Sequence, residues 1–208
     1  MNAFGLYLVL TDPIAGYERC TEAAVAEGVR FVQLRMKDAA RADVVRVGRR
    51  LRAIVRGSET RLVVNDDPVA AAEIEADGVH VGQGDLPLDE VRRLVPAGTL
   101  VGLSTHDEGQ AARAEALAPD YIGVGPVWAT PTKRVPDPVL GVARAAAIVR
   151  AATVPAVAIG GIDAARLPEV LAAGIENFAV VRQVCGSAEP RAAIAELMAP
   201  WRRRAHHA

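Results

Sequence analysis

Only two cysteines, Cys20 and Cys185, occur in the 208 residues. They lie far apart and lack metal-ligand spacing, which excludes a disulfide scaffold and a zinc site. No apolar stretch approaches the roughly 18 residues that make a membrane-spanning helix. The amino terminus carries no basic stretch followed by an apolar signal core. These absences make a cytoplasmic, soluble protein the expectation. Net charge is also nearly missing, since 24 Lys+Arg stand against 25 Asp+Glu. That balance gives no electrostatic reason to expect nucleic acid or an acidic membrane as partner. The Arg202, Arg203, Arg204 run reads as a solvated helix end. No glycine-rich turn follows the first apolar run, which argues against a dinucleotide-binding doubly wound sheet. A Ser–His–Asp arrangement is missing as well, because Ser104 and His106 have no defined third member.

What the chain does have is a repeated alternation. With 51% hydrophobic residues, it contains eight short apolar runs: Leu6 to Leu10, Val29 to Leu34, Leu62 to Val64, Gly78 to Val81, Leu100 to Leu103, Tyr121 to Val124, Val157 to Ile159 and Phe178 to Val181. Strands buried on both faces read as such runs. Helix-like segments separate them. Val44, Val47, Leu51 and Ile54 form a helical stripe, Asp107 to Leu117 and Val142 to Ala151 have strong helix propensity, and Asp163 is placed to cap a helix that Gly174 closes. Repeated strand–helix units without a linker predict one α/β domain over residues 1–208. The expected fold is a single (β/α)8 TIM barrel with its active site at the C-terminal ends of the strands. The Pro- and Thr-rich segment from Trp128 to Gly141 is the long rim loop and a candidate lid.

The polar clusters follow the apolar runs, so the barrel brings them to one rim. In Q-L-R-M-K, Gln33 offers a donor and an acceptor to a heterocycle, while Arg35 and Lys37 can face an anion together. Asn65-Asp66-Asp67 and Gly84-Asp85 put carboxylates on adjacent loops. Asp66 and Asp85 suit a magnesium ion that keeps water and shares substrate phosphate; helix capping by Asp66 or Asp67 is the competing reading. Gly160-Gly161, just before a helix, suits backbone binding of phosphate. Thr130, Thr132 and Lys133 can add donors and charge. His80 and His106 are candidate acid–base groups, although His80 can equally close the barrel end with a hydrogen bond.

Taken together, the segments L-Y-L-V-L-T-D from Leu6, Q-L-R-M-K from Gln33, V-N-D-D from Val64 and D-G-V-H-V-G-Q-G-D from Asp77 resemble the thiamine-phosphate synthase family. G-L-S-T-H from Gly102, Y-I-G-V-G-P-V-W-A-T-P-T-K from Tyr121 and A-I-G-G-I from Ala158 extend the likeness over essentially the whole chain. The resemblance implies condensation of an aminopyrimidine methyl diphosphate with a thiazole ethyl phosphate, with Mg2+ as cofactor. By motif, Gln33, Arg35, Lys37, Asn65, Ser104 and Lys133 would hold the pyrimidine diphosphate. Lys37, Ser104 and Lys133 would be catalytic among them. Asp66 and Asp85 would bind the metal, and Thr130, Thr132, Gly161, Val181 and Arg182 the thiazole phosphate. Partners are then small molecules, with homo-oligomerisation left open.

Two positions depart from the family pattern: Arg182 replaces a small residue, and Asn177-Phe178 replaces a Gly-containing step. Arg182 either binds phosphate by its side chain or obstructs a backbone site. A paralogous thiazole tautomerase would need an acid–base residue such as His106 but no pyrophosphate–magnesium site. A non-catalytic precursor-binding barrel would not need two anion sites facing one metal. Asp66, Asp85, Lys37 and Lys133 favour the synthase.

Overall fold

Apolar runs alternating with helical stripes close on themselves in the computed structural model, which describes residues 3–130, 132 and 137–205. Eight parallel strands run in sequence order around a closed barrel. They are β1 (Leu6–Leu10), β2 (Phe31–Leu34), β3 (Arg61–Asn65), β4 (Gly78–Val81), β5 (Leu100–Thr105), β6 (Tyr121–Val124), β7 (Ala156–Ala158) and β8 (Phe178–Val180). The helices are α1 (Tyr17–Ala26), α2 (Arg41–Val55), α3 (Pro68–Ile74), α4 (Leu88–Leu94), α5 (Glu108–Leu117), α6 (Gly141–Ala151), α7 (Leu167–Ala172), α8 (Arg182–Cys185) and α9 (Pro190–Ala205). The predicted (β/α)8 barrel is the fold observed.

The two-residue strand period divides the core into two layers. Leu6, Leu8, Leu10, Val32, Leu34, Leu62 and Val64 face the helices in the larger cluster. Tyr7, Val9, Phe31, Val63, Tyr121, Val157 and Ala179 fill the interior. Each fully buried Leu or Val contributes about 1.5–3 kcal/mol of transfer free energy, so both faces of a strand must be apolar. On α2, Val44, Val47 and Leu51 are buried. Gly48 lets α3 approach: a Cβ there would lie 2.3 Å from Ile74 Cδ1.

Polar side chains stitch the opposite end of the barrel. Asp77 Oδ2 accepts from Leu62 N at 2.8 Å, and Asp120 Oδ2 from Val101 N at 2.7 Å. Asn177 Oδ1 accepts from Phe4 N at 2.8 Å. Asp77 and Asp120 directly precede β4 and β6 and each bind a backbone N–H of the preceding strand, whereas Asn177, directly before β8, binds the N–H just before β1 and so ties the last strand to the first. Asn177, the departure from the family pattern, is thus a strand-to-strand tie.

Several boundaries differ from the sequence expectation. Strand β2 starts at Phe31, because Val29 N still bonds Ala24 O after α1. Strand β7 ends at Ala158, although Ile159 N keeps a ladder bond to Val124 O. The Asp163 carboxylate accepts from Arg166 N at 2.9 Å and caps a turn. Helix α7 itself begins only at Leu167. The basic run is not simply solvated: Arg202 binds Glu27, and Arg204 donates to Leu171 O, pinning α9 to its neighbours. Among the described residues, no helix is long and apolar enough to cross a membrane.

Candidate active site

A cavity of about 1290 Å³ opens at the C-terminal ends of the strands. Gln33, Arg35, Lys37, Asn65, Asp66, Asp85, Ser104, Thr130, Thr132, Gly161, Val181 and Arg182 all line it. The remaining site residue expected from sequence, Lys133, lies outside the described residues, as do Pro131 and Pro136 of the rim loop. The barrel therefore gathers residues far apart in sequence, Gln33 to Arg182, because each sits at a strand end or on the loop that follows it.

At Asn65-Asp66-Asp67 the capping role falls to Asp67. Asp67 Oδ1 caps α3 by accepting from Ala70 N at 3.0 Å, and Asp67 Oδ2 pairs with Arg41 at 2.6 Å. Asp66 adopts φ 61°, a left-handed conformation uncommon outside glycine. Its carboxylate meets Lys37 Nζ at 3.3 Å. Burial and the neighbouring Asp85 carboxylate raise the Asp66 pKa, against the lowering effect of Lys37. Asp66 thus faces a like charge on Asp85 that opposes its pairing with Lys37, and a divalent cation would relieve that repulsion. Among the described residues, no group of three or more His, Cys, Asp or Glu is placed to hold a metal. This two-carboxylate site fits magnesium, which retains waters and takes substrate oxygens, better than a metal needing an all-protein cage.

Glycines shape the other side. Gly160 and Gly161 have φ 104° and 68°. A Cβ on Gly161 would meet Trp128 Cβ at 2.7 Å. The Gly161 carbonyl accepts from Arg166 at 2.7 Å, and that guanidinium lies 5.3 Å over the Trp128 ring. The foot of the β6–α6 loop is thereby fastened to the turn after β7. Thr130 and Thr132 hydroxyls lie 3.0 Å apart. Arg182 opens α8 and is exposed at the cavity edge.

Neither histidine is an isolated acid or base. His106 Nδ1 donates to the Gly125 carbonyl at 2.7 Å, and its Nε2 faces Asp137 Oδ2 at 3.5 Å. His80 is held by Tyr121 Oη at Nδ1, 3.1 Å, and Ser104 Oγ at Nε2, 2.9 Å. Tyr7 and Tyr121, buried inside the barrel, were hidden in sequence by the apolar runs that contain them. Gly102 makes the space they occupy: a Cβ there would fall 2.2 Å from Tyr121 Cζ and 2.5 Å from His80 Nδ1.

Burial pushes the His80 imidazole down to about 4. Its folded pKa lies below the unfolded value, so the stabilising contribution is complete above about pH 6.5 and is lost as pH falls from there towards 4. The ring is packed among Gly102, Gly123 and Tyr121, yet an edge opens on the cavity, which reduces the expected loss to about 2 kcal/mol at pH 4.5. Urea unfolding of wild type and His80→Gln at pH 7.5 and 4.5 checks this. The wild type is expected to lose about 2 kcal/mol more than the variant; equal losses would contradict it.

The family described as thiamine monophosphate synthase matches residues 6–184. The thiamine-phosphate synthase of Laribacter hongkongensis is 43% identical over 204 residues, covering 96% of each chain. That of Anaeromyxobacter dehalogenans is 40% identical over 199 residues, covering 95% of this chain and 87% of its own. Among solved structures, thiamine phosphate pyrophosphorylase from Pyrococcus furiosus superposes with a TM-score of 0.88 at 29% identity, over 97% of both chains. A 3-hexulose-6-phosphate synthase, at 20% identity and TM-score 0.63 over 93% of this chain and 98% of its own, shares the fold.

Proposed function

The chain belongs to the thiamine-phosphate synthase family and is a transferase of thiamine biosynthesis; from that premise we propose that it joins an aminopyrimidine methyl diphosphate to a thiazole ethyl phosphate. The products are thiamine phosphate and pyrophosphate, made in the cytoplasm. One observation carries this reading: a single cavity is lined both by Arg35, Lys37, Asp66 and Asp85 and by Gly161, Thr130 and Arg182. Two anionic groups and a metal would, in this reading, take separate seats in one space.

In this reading the pyrimidine ring lies against Gln33, Asn65 and Ser104. Its diphosphate meets Arg35 and Lys37, with Lys133 assigned there by motif. Asp66 and Asp85 would hold magnesium, whose charge would offset that of the diphosphate. Cleavage of the C–O bond leaves a cation that the electron-rich aminopyrimidine stabilises, while Lys37 and Arg35 stabilise the negative charge on the departing pyrophosphate. The thiazole nitrogen then attacks through its lone pair and carries no proton. A strong general base is unnecessary, in keeping with histidines already committed to Gly125, Tyr121 and Ser104. Thiazole phosphate binding falls to Thr130, Thr132, Gly161 and the Val181-Arg182 segment. Orientation of two rings in one enclosure supplies much of the remaining acceleration.

Arg182 acts here through its guanidinium. Arg182→Ala is expected to raise KM for the thiazole phosphate about tenfold, with KM for the pyrimidine diphosphate unchanged; a lowered thiazole KM would identify Arg182 as an obstruction. The reading itself is tested by chromatography of products. Thiamine phosphate formed only when both precursors are present supports it. Isomerisation of the thiazole alone, without joining, would assign the pocket to a tautomerase.

A further inference from the structure

Gln33, Tyr7, Tyr121, His80 and Ser104 form one hydrogen-bonded row across the barrel interior. Gln33 Nε2 lies 3.0 Å from Tyr7 Oη, and the two phenol oxygens are 2.8 Å apart. Tyr121 Oη is 3.1 Å from His80 Nδ1, and His80 Nε2 is 2.9 Å from Ser104 Oγ. The phenols are buried, with Tyr7 and Tyr121 each 3% exposed. Gln33 and Ser104 end the row as cavity-lining residues.

Counting protons gives the row a direction. Each hydroxyl has one proton to donate, and a neutral imidazole has one N–H. Burial keeps the His80 ring neutral near pH 7. The Gln33 amide nitrogen only donates, so Tyr7 accepts there and gives its own proton to Tyr121. Tyr121 in turn donates to His80 Nδ1. The ring proton therefore sits on Nε2 and goes to Ser104 Oγ, leaving the Ser104 proton for the cavity. The reverse order leaves the buried Tyr7 proton without an acceptor unless the Gln33 amide is turned over.

We propose that Tyr7, Tyr121 and His80 are positioning residues that couple Gln33 to Ser104, so that substrate always meets an amide acceptor at one end and a hydroxyl donor at the other. A heterocycle bearing both an amino group and acceptor nitrogens, as an aminopyrimidine does, suits that pairing. Gly102 supports the coupling, because any side chain there would collide with both Tyr121 and His80. The kinetic consequence rests on the pyrimidine site assigned above; the order of the protons does not.

The test combines imidazole 15N NMR of the purified full-length protein with steady-state kinetics. Wild type is expected to show His80 as a single tautomer protonated at Nε2. Tyr121→Phe keeps the ring but removes the donor to Nδ1. It is expected to lose the fixed tautomer and to raise KM for the pyrimidine diphosphate about tenfold, with KM for the thiazole phosphate unchanged. A wild-type His80 protonated at Nδ1, or a Tyr121→Phe variant with unaltered tautomer or pyrimidine KM, overturns the proposal. Absence of any joining reaction in wild type would sink the functional reading instead, and the wild-type NMR result would still decide the proton order.

Discussion

Asp66→Asn is expected to lower kcat/KM for the pyrimidine diphosphate on the order of 10²–10³-fold, the size of effect seen when one preorganised charge-stabilising group is lost. Asp66 is the carboxylate that burial and Asp85 load and that Lys37 touches at 3.3 Å. Removing its charge takes away one of the two proposed protein ligands to the metal and leaves Lys37 without its partner. The loss should fall on turnover and on magnesium dependence, since the proposed thiazole phosphate site is built from other loops. Asp85→Ala should behave similarly, although Asp85 also receives Gly82 N at 2.7 Å and helps shape its own turn. Isothermal titration with the thiazole phosphate, run beside the kinetics, separates the sites. Equal losses in turnover and in thiazole phosphate binding would contradict the division of the pocket.

Gly102→Ala should be strongly damaging. A Cβ 2.2 Å from Tyr121 Cζ and 2.5 Å from His80 Nδ1 must displace one ring or part β5 from β6. Overpacking of this kind costs about 3 kcal/mol. For a chain of this length that lowers Tm by roughly 6–12 °C. Because the displaced rings belong to the Gln33–Ser104 row, the surviving folded protein should also bind the pyrimidine diphosphate less well. Thermal unfolding and KM measured on the same preparation check both parts. A variant as stable and active as wild type would mean that the interior is looser than the packing described above.

The barrel was legible because its strands are buried on both faces, so Leu6 to Leu10 or Tyr121 to Val124 appear as unbroken apolar runs. The same feature hid Tyr7 and Tyr121: a phenol inside such a run looks like core, and only the closed barrel reveals that Tyr7 meets Tyr121 across 114 positions. Boundaries failed where a local bond outlasted the element. Val29 is apolar but serves to close α1, and Asp163 caps a turn rather than α7. At Asn65-Asp66-Asp67, the sequence favoured Asp66 as metal ligand but left the cap open to either carboxylate, and the fold gives the cap to Asp67 while Asp66 takes a left-handed backbone. The short charged run at Arg202 looked solvated because its acceptors, Glu27 and the Leu171 carbonyl, lie on remote helices.

The measurement that bears most directly on the central claim is pyrophosphate release by the purified protein supplied with both precursors, in magnesium and then in excess chelator. The account predicts release matched one-to-one by thiamine phosphate in magnesium, abolished by the chelator and restored when magnesium is returned. No release by folded protein from intact precursors, or release undiminished by the chelator, would contradict it.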